Sequence, residues 1–424
     1  MRSLLSSLNV ASSQLLLLAL PKGAINKSPD DAAFDTMKVL WQVLQWSWEA
    51  AFYNKFPEFD HAGNPWPAKS WRQQMAGQPL SREGFRACIW AVQADGEYLQ
   101  NEFQLKGASH EEMCFNCSAN KSTLPYNDFR PTAAWRATVV EHAGTCPTDH
   151  VISTIPGVVG ESFKYDTLHV LEEGLTAHVL ANVLFDLVVK PGLPGTQNER
   201  LTYLFRKICA LYQEQGIEAS DRIRKLTLST FCSPKSKHDQ FPTLTGVKAR
   251  HCRWLVPVLE EICLEFQSTE DKYSVHRFQT VKHLNQLYTI MDCSGMHPTG
   301  EEATSFKKSM NLCLLHYSRL SVLSIQQGIL QWNVTPKFHL CEHLASVFQW
   351  FNPKFYSCYA GETMVGHLSA LAHSCLSGTA PYQVASKVTW RYRLALHLRI
   401  QGADFSWQDI ESDYHWEMPW KRLP

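Results

Sequence analysis

Net charge is the first thing this sequence lacks. Forty Lys and Arg balance forty Asp and Glu, so the whole-chain field favours neither a nucleic acid nor a membrane surface. A long apolar run is missing too. The stretch 15–20 is apolar and Arg2 precedes it, but Ser6, Ser7, Asn9, Ser12 and Ser13 dilute the segment. It makes a poor secretory signal and is too short to cross a bilayer. The preferred reading is a buried strand or helix opening a domain, with a cleaved targeting segment as the alternative. There is no internal repeat and no low-complexity tract. Gly157, Gly160, Gly192 and Gly195 match neither a dinucleotide fingerprint nor a Walker loop. The thirteen cysteines are scattered rather than dense, which argues against a disulfide-stapled secreted module and for reduced thiols in an intracellular compartment. Asn-x-Ser/Thr triplets begin at Asn26, Asn116, Asn120 and Asn333, but so short a pattern recurs by chance.

What is present describes a globular chain with a sizeable core. At 424 residues, 45% hydrophobic and 12% aromatic, the expectation is two or three domains and no extended disorder. Helical spacing is strongest over 32–56, where Trp41, Trp46 and Trp48 stand beside Leu40, Val43 and Leu44, and again over 201–213, 220–228, 247–266, 274–291 and 305–328. Pro257 should kink or split the 247–266 segment. Further helices are expected near 69–76, after Pro131, from 335 onward, around Glu362 and over 384–400.

Two runs read instead as strands that end in acids. The run 85–92 leads to Asp95, and the run 158–165, with its β-branched and aromatic residues, leads to Asp166. Leu168, Leu171, Leu175, Val179, Leu180, Val183 and Leu187 then recur at helical spacing. A carboxylate at the edge of a strand is where α/β folds place chemistry, although an aspartate before a helix is also an ordinary N-cap. Three carboxylates, Asp95, Asp166 and Glu362, could hold two divalent cations for phosphoryl transfer. Such ions demand hard oxygen ligands.

Cysteine and histidine supply the other candidates. Cys114-x2-Cys117 followed by His142-x3-Cys146 offers four ligands in two close pairs, a set suited to tetrahedral zinc, with free buried thiols as the alternative. His339 and His343 lie one helical turn apart, but Glu342 falls in the wrong place for a metalloprotease helix, and core or capping histidines are the expectation. Between 190 and 253, twelve basic residues face five acids, enough to favour a phosphate backbone locally or to form a solvated face.

In order along the chain come Asp95-Gly96-Glu97-Tyr98-Leu99, Cys114-x-x-Cys117, Asp166-x-x-His169 with Gly174, Pro336-Lys337-Phe338-His339 with His343, Asn352-Pro353, and Glu362-x-x-x-Gly366. This series resembles the landmarks of eukaryotic DDE transposases of the Plavaka, CACTA and Kyakuja-Dileera-Zisupton kind, over roughly residues 85–375. The resemblance implies an α/β (α+β) chain with a ribonuclease-H-like core interrupted by an all-α insertion. It divides the chain into 1–80, mostly helical; 81–190, the first part of the core with the Cys-x-x-Cys knuckle; 191–332, a basic helical insertion; 333–400, the return to the core; and 401–424, a tail. It implies DNA strand cleavage and joining with Mg²⁺ or Mn²⁺ held by Asp95, Asp166 and Glu362, His169 beside them, and zinc at the knuckle. Glu97 and Asp149 stay open as alternative acids. Arg222, Arg224, Lys225, Lys235, Lys237, Lys248, Arg250 and Arg253 would contact DNA phosphates. The implied location is nuclear, with cytoplasmic as the alternative; no membrane partner is expected, and self-association is allowed. The competing expectation is a catalytically inactive, domesticated descendant that serves as a DNA- or protein-binding scaffold.

Overall fold

Helix-period sequence dominates the chain, and the computed structural model carries it into a mostly all-α architecture. It describes residues 35–139, 146–189, 194–232 and 240–400. The structure is 59% helical and 3% strand. Among the described residues there are isolated bridges but no sheet. The ribonuclease-H-like α/β core is therefore overturned. The reason is local. Gly160–Ser162 winds into a 3-10 turn inside the expected second strand, and the two expected strands meet at one parallel bridge, Val92 with Phe163. Val92 N donates to Ser162 O at 2.7 Å and accepts, through its carbonyl, from Lys164 N at 3.4 Å. The β-branched and aromatic residues around this bridge instead form an extended segment that contributes Val158, Phe163 and Tyr165 to the core.

The helices are α1 (Thr36–Tyr53), α2 (Trp71–Met75), α3 (Gly96–Phe103), a π-helix (Leu168–Thr176) running directly into α4 (Ala177–Val188), α5 (Gln197–Glu214), α6 (Ala249–Glu265), α7 (Lys272–Cys293), α8 (Gly300–Gln326), α9 (Pro336–Phe348), α10 (Tyr359–Leu376) and α11 (Pro381–Ile400). The chain divides into two compact units, one of residues 1–42 and 359–424, the other of residues 43–358. In the first, α10 and α11 pack on each other. The second holds the candidate sites described below.

Within it, α7 and α8 form an antiparallel pair, α6 lies along α7, α9 along α8, and the π-helix is contacted by α4, α6 and α9. Caps fix the helix starts. Thr196 with Glu199 and Thr299 with Glu302 close reciprocal capping boxes, and Asp271 accepts from Tyr273 N and Ser274 N. The expected break at Pro257 does not occur, and α6 runs through it. A helix-interior proline costs about 3 kcal/mol. Leu255, Val256, Val258 and Leu259 are fully buried around it, and each contributes roughly 1.5–3 kcal/mol. The helix expected over 220–228 is likewise absent, replaced by the 3-10 turns Ala219–Asp221 and Leu228–Thr230.

A polar network joins α4, α7 and the segment before α9. Trp332, fully buried at φ 58°, donates its backbone N–H to Asn182 Oδ1 at 2.8 Å and its indole N–H to Tyr273 Oη at 2.6 Å. Tyr273 in turn donates to Asp186 Oδ1 at 3.0 Å, which Gln331 also reaches at 2.9 Å. Trp332→Ala empties this site and strands its partners, so it is expected to cost about 3–5 kcal/mol. Urea denaturation checks this; an unchanged midpoint would show that the network is dispensable.

Candidate metal centre

The segment 111–138 has little regular structure, yet it is buried where it meets α9. Cys114, Cys117, His339 and His343 come together there, each at 4% exposure or less. All the imidazole contacts use Nε2. Cys114 Sγ lies 3.2 Å from His343, Cys117 Sγ 3.1 Å from His339 and 3.6 Å from His343, and the two Nε2 atoms are 3.1 Å apart. Ligands on one tetrahedral zinc stand roughly 3.3–3.8 Å apart. All four donor atoms lie within 4.8 Å of one another, and the cluster could hold a metal such as zinc.

The surroundings suit that ligand set. Asn116 N and Ala119 N, each two residues beyond a cysteine, donate to Sγ at 3.3 and 3.4 Å. Burial pushes the Cys114 thiol up. Its hydrogen bond with Cys117, the charge of His343 and the hydrogen bonds of both histidines outweigh burial and hold it well below an ordinary thiol. Cys117 is pushed up by its hydrogen bond with Cys114 and by burial, as expected when one of two adjacent thiols ionises first. Burial lowers His339, favouring the neutral imidazole that a metal requires. Trp135 meets His339 edge to face at 4.4 Å, and the Arg136 guanidinium lies 4.5 Å over that indole. Arg136 also grips buried Glu342 bidentately, both distances 3.0 Å. Glu342, between the two histidines in sequence, therefore clamps the loop to α9 from the side.

This centre corrects the expected ligand set. Cys114 and Cys117 are in place, but α9 supplies the second pair, and its histidines are not merely core or capping residues. Cys146 stands outside the cluster, and His142 lies outside the described residues.

A pocket of about 520 Å³ lies nearby, bordered by Asp95, Glu97, Lys106, Asp166, His169 and Lys337. Tyr165 links it to the metal centre, since it lines the pocket while its hydroxyl lies 3.3 Å from Cys114 Sγ. Asp95 and Asp166 thus share one pocket. Asp95 is exposed and caps α3, its Oδ1 accepting from Tyr98 N at 2.6 Å. Asp166 is buried. Its Oδ1 accepts from Cys358 N at 2.7 Å, and its Oδ2 from His169 N at 3.0 Å, with His169 Nδ1 at 2.6 Å. Burial pushes the Asp166 carboxyl up, but these hydrogen bonds and the His169 charge bring it below its ordinary value. The bond from Asp166 raises His169. Gly174 lets α9 approach, because a Cβ there would stand 3.0 Å from Lys337 Cδ and 3.3 Å from His169 O.

The remaining candidates are dispersed. Asp149 is exposed and does not line this pocket. Glu362 is exposed in the first turn of α10, in the other unit. Arg253 is largely buried, 3.9 Å from Glu172 and paired with Asp292. Arg250 pairs with Asp221, and Arg222 Nε donates to Ile217 O. Arg224, Lys225 and Lys248 are exposed, while Lys235 and Lys237 lie outside the described residues. Sequence spacing gave no hint of the ion pairs that occupy Arg250 and Arg253.

Fold and site together define a helical protein with a buried Cys₂His₂ cluster that could hold a metal, beside an acid- and lysine-rimmed pocket. No protein-family model, no curated protein and no solved structure matches the chain. No described helix is long and apolar enough to cross a membrane.

Proposed function

We propose that this chain acts on the phosphodiester backbone of DNA, cleaving and joining strands in the manner of the transposases its landmarks resemble, with the Asp95–Asp166 pocket as the reactive site. One observation carries the reading: two acids from distant parts of the sequence meet in a pocket that Lys106 and Lys337 also line. The proximity of other landmarks supports it. Thr167, beside Asp166, donates its hydroxyl to Pro353 O at 3.3 Å, and Gly174 accommodates Lys337.

Asp95 and Asp166 would hold a divalent cation, Mg²⁺ or Mn²⁺ by the resemblance. Such an ion supplies charge against the phosphate and lowers the pKa of a bound water or 3′-hydroxyl. The lysine ammonium groups would attract the phosphate oxygens. His169 holds Asp166 in one orientation. The Cys₂His₂ cluster adjoins the pocket through Tyr165, which lines the pocket and touches Cys114 Sγ.

The test is Mg²⁺- or Mn²⁺-dependent nicking of plasmid and strand transfer of labelled oligonucleotides. Wild type is expected to be active, and Asp95→Asn and Asp166→Asn to fall to background; equal activity in all three would remove the pocket from the chemistry. A specific observation favours a second reading. Both Asp166 oxygens already accept hydrogen bonds, and one Asp95 oxygen caps a helix, as in a scaffold that binds DNA without cutting it. Salt-sensitive DNA binding without nicking would select it.

A further inference from the structure

We propose that Asp166, His169 and Cys358 form a second metal site, one that takes a thiophilic or borderline divalent ion such as Zn²⁺ or Co²⁺ in place of the Mg²⁺ or Mn²⁺ that the resemblance implies at Asp166. One carboxylate oxygen, one imidazole nitrogen and one sulfur from these residues all lie within 4.8 Å of one another. Donor chemistry chooses the ion. Magnesium is held by oxygen, whereas a set with one thiolate and one imidazole suits zinc, cobalt or ferrous iron.

The chain builds the site in advance. Asp166 and His169 sit three residues apart at the start of the π-helix, a helix type often found at functional sites. Cys358 arrives from far along the sequence and is pinned by its own N–H, which donates to Asp166 Oδ1 at 2.7 Å.

Asp166 Oδ2 and His169 Nδ1 are 2.6 Å apart, closer than the roughly 3.3 Å between two such ligands on one tetrahedral ion. An entering ion replaces the proton between them, and the pair opens by about 0.7 Å. His169 and Cys358 each give up a proton to solvent, so capture is accompanied by proton release. The four donors of the Cys₂His₂ centre close a coordination sphere. Here three protein donors leave a position open, and Asp166 and His169 line the pocket, the arrangement that lets a metal meet a substrate. The ion's use in catalysis rests on the phosphoryl-transfer reading; its binding does not.

The experiment measures bound metal in the full chain purified with Zn²⁺ or Co²⁺ supplied throughout. Wild type is expected to hold one equivalent more than Cys358→Ser, and His169→Gln to match that loss, with thermal melts showing both variants folded. Cobalt-loaded wild type should lose part, not all, of its thiolate-to-cobalt absorption on Cys358→Ser, because the Cys₂His₂ centre retains the rest. Equal metal content in wild type and both variants, or an unchanged cobalt spectrum, overturns the site. Binding as expected with no DNA cleavage overturns the phosphoryl-transfer reading and leaves the site standing. Cleavage by a Cys358→Ser variant that holds as much metal as wild type does the reverse.

Discussion

Cys114→Ser, or removal of the ion with a strong zinc chelator, is expected to cost on the order of 10 kcal/mol of metal-linked stability. The magnitude follows from where the ligands lie. Without an ion, two thiols and two imidazoles remain packed inside the protein at 4% exposure or less, and Cys114 is held toward its charged form in the interior. Buried polar groups deprived of the ion that holds them together are costly. An ion there would also tie Cys117 to His339 across 222 residues of chain; a cross-link of that span constrains the unfolded ensemble more than a short one does. The 111–138 loop should loosen first, because its remaining hold on α9 is chiefly the Arg136–Glu342 pair and the Trp135 contact. Melting curves with and without chelator, read beside metal content, decide the matter. A Cys114→Ser protein that melts with wild type and keeps its full metal would sink the centre.

Half of that centre was legible in the sequence. Two cysteines separated by two residues advertise a knuckle, because neighbouring backbone N–H groups can reach both sulfurs, and Asn116 and Ala119 do so. His339 and His343 were visible as a helical-turn pair, but local spacing could not say what they face. Nearby His142 and Cys146 looked the better partners because proximity along the chain is the only distance a sequence shows. The ligands on α9 are identified by a contact across more than two hundred residues, which no periodicity encodes.

The fold divides along the same line. From 197 to 326 the 3.6-residue apolar repeat placed α5, α7 and α8 within a few residues. The segment 158–165 misled because β-branched and aromatic residues fit any half-buried extended chain. A sheet also needs partners along its whole edge, and here a single bridge to Val92 is all that forms. The π-helix left no signature either. Its residues repeat as an α-helix would, so the spacing cannot distinguish the wider turn.

That π-helix makes the stability of the protein depend on pH through Glu172. The side chain is 2% exposed. Burial pushes its carboxyl up to about 8 from an ordinary 4.5, against the pull of Arg253 on α6 and with the added push of Asp166, Asp292 on α7 and Glu173. Cys252 and Tyr288 feel the same carboxyl, and burial raises both. A carboxyl whose folded value lies above its unfolded one binds its proton more tightly in the native state. Its contribution is therefore complete below about pH 4.5 and is lost as pH rises through about 8. At 1.36 kcal/mol per unit the whole swing is on the order of 5 kcal/mol. Glu172→Gln keeps the shape and removes the titration, so its urea midpoint should match wild type near pH 5 and exceed it near pH 9. Parallel curves for the two proteins across that range would mean that Arg253, at 3.9 Å, already neutralises the carboxylate in the folded state. A flattened slope in the variant would instead place the dominant stability titration on the helix that carries His169.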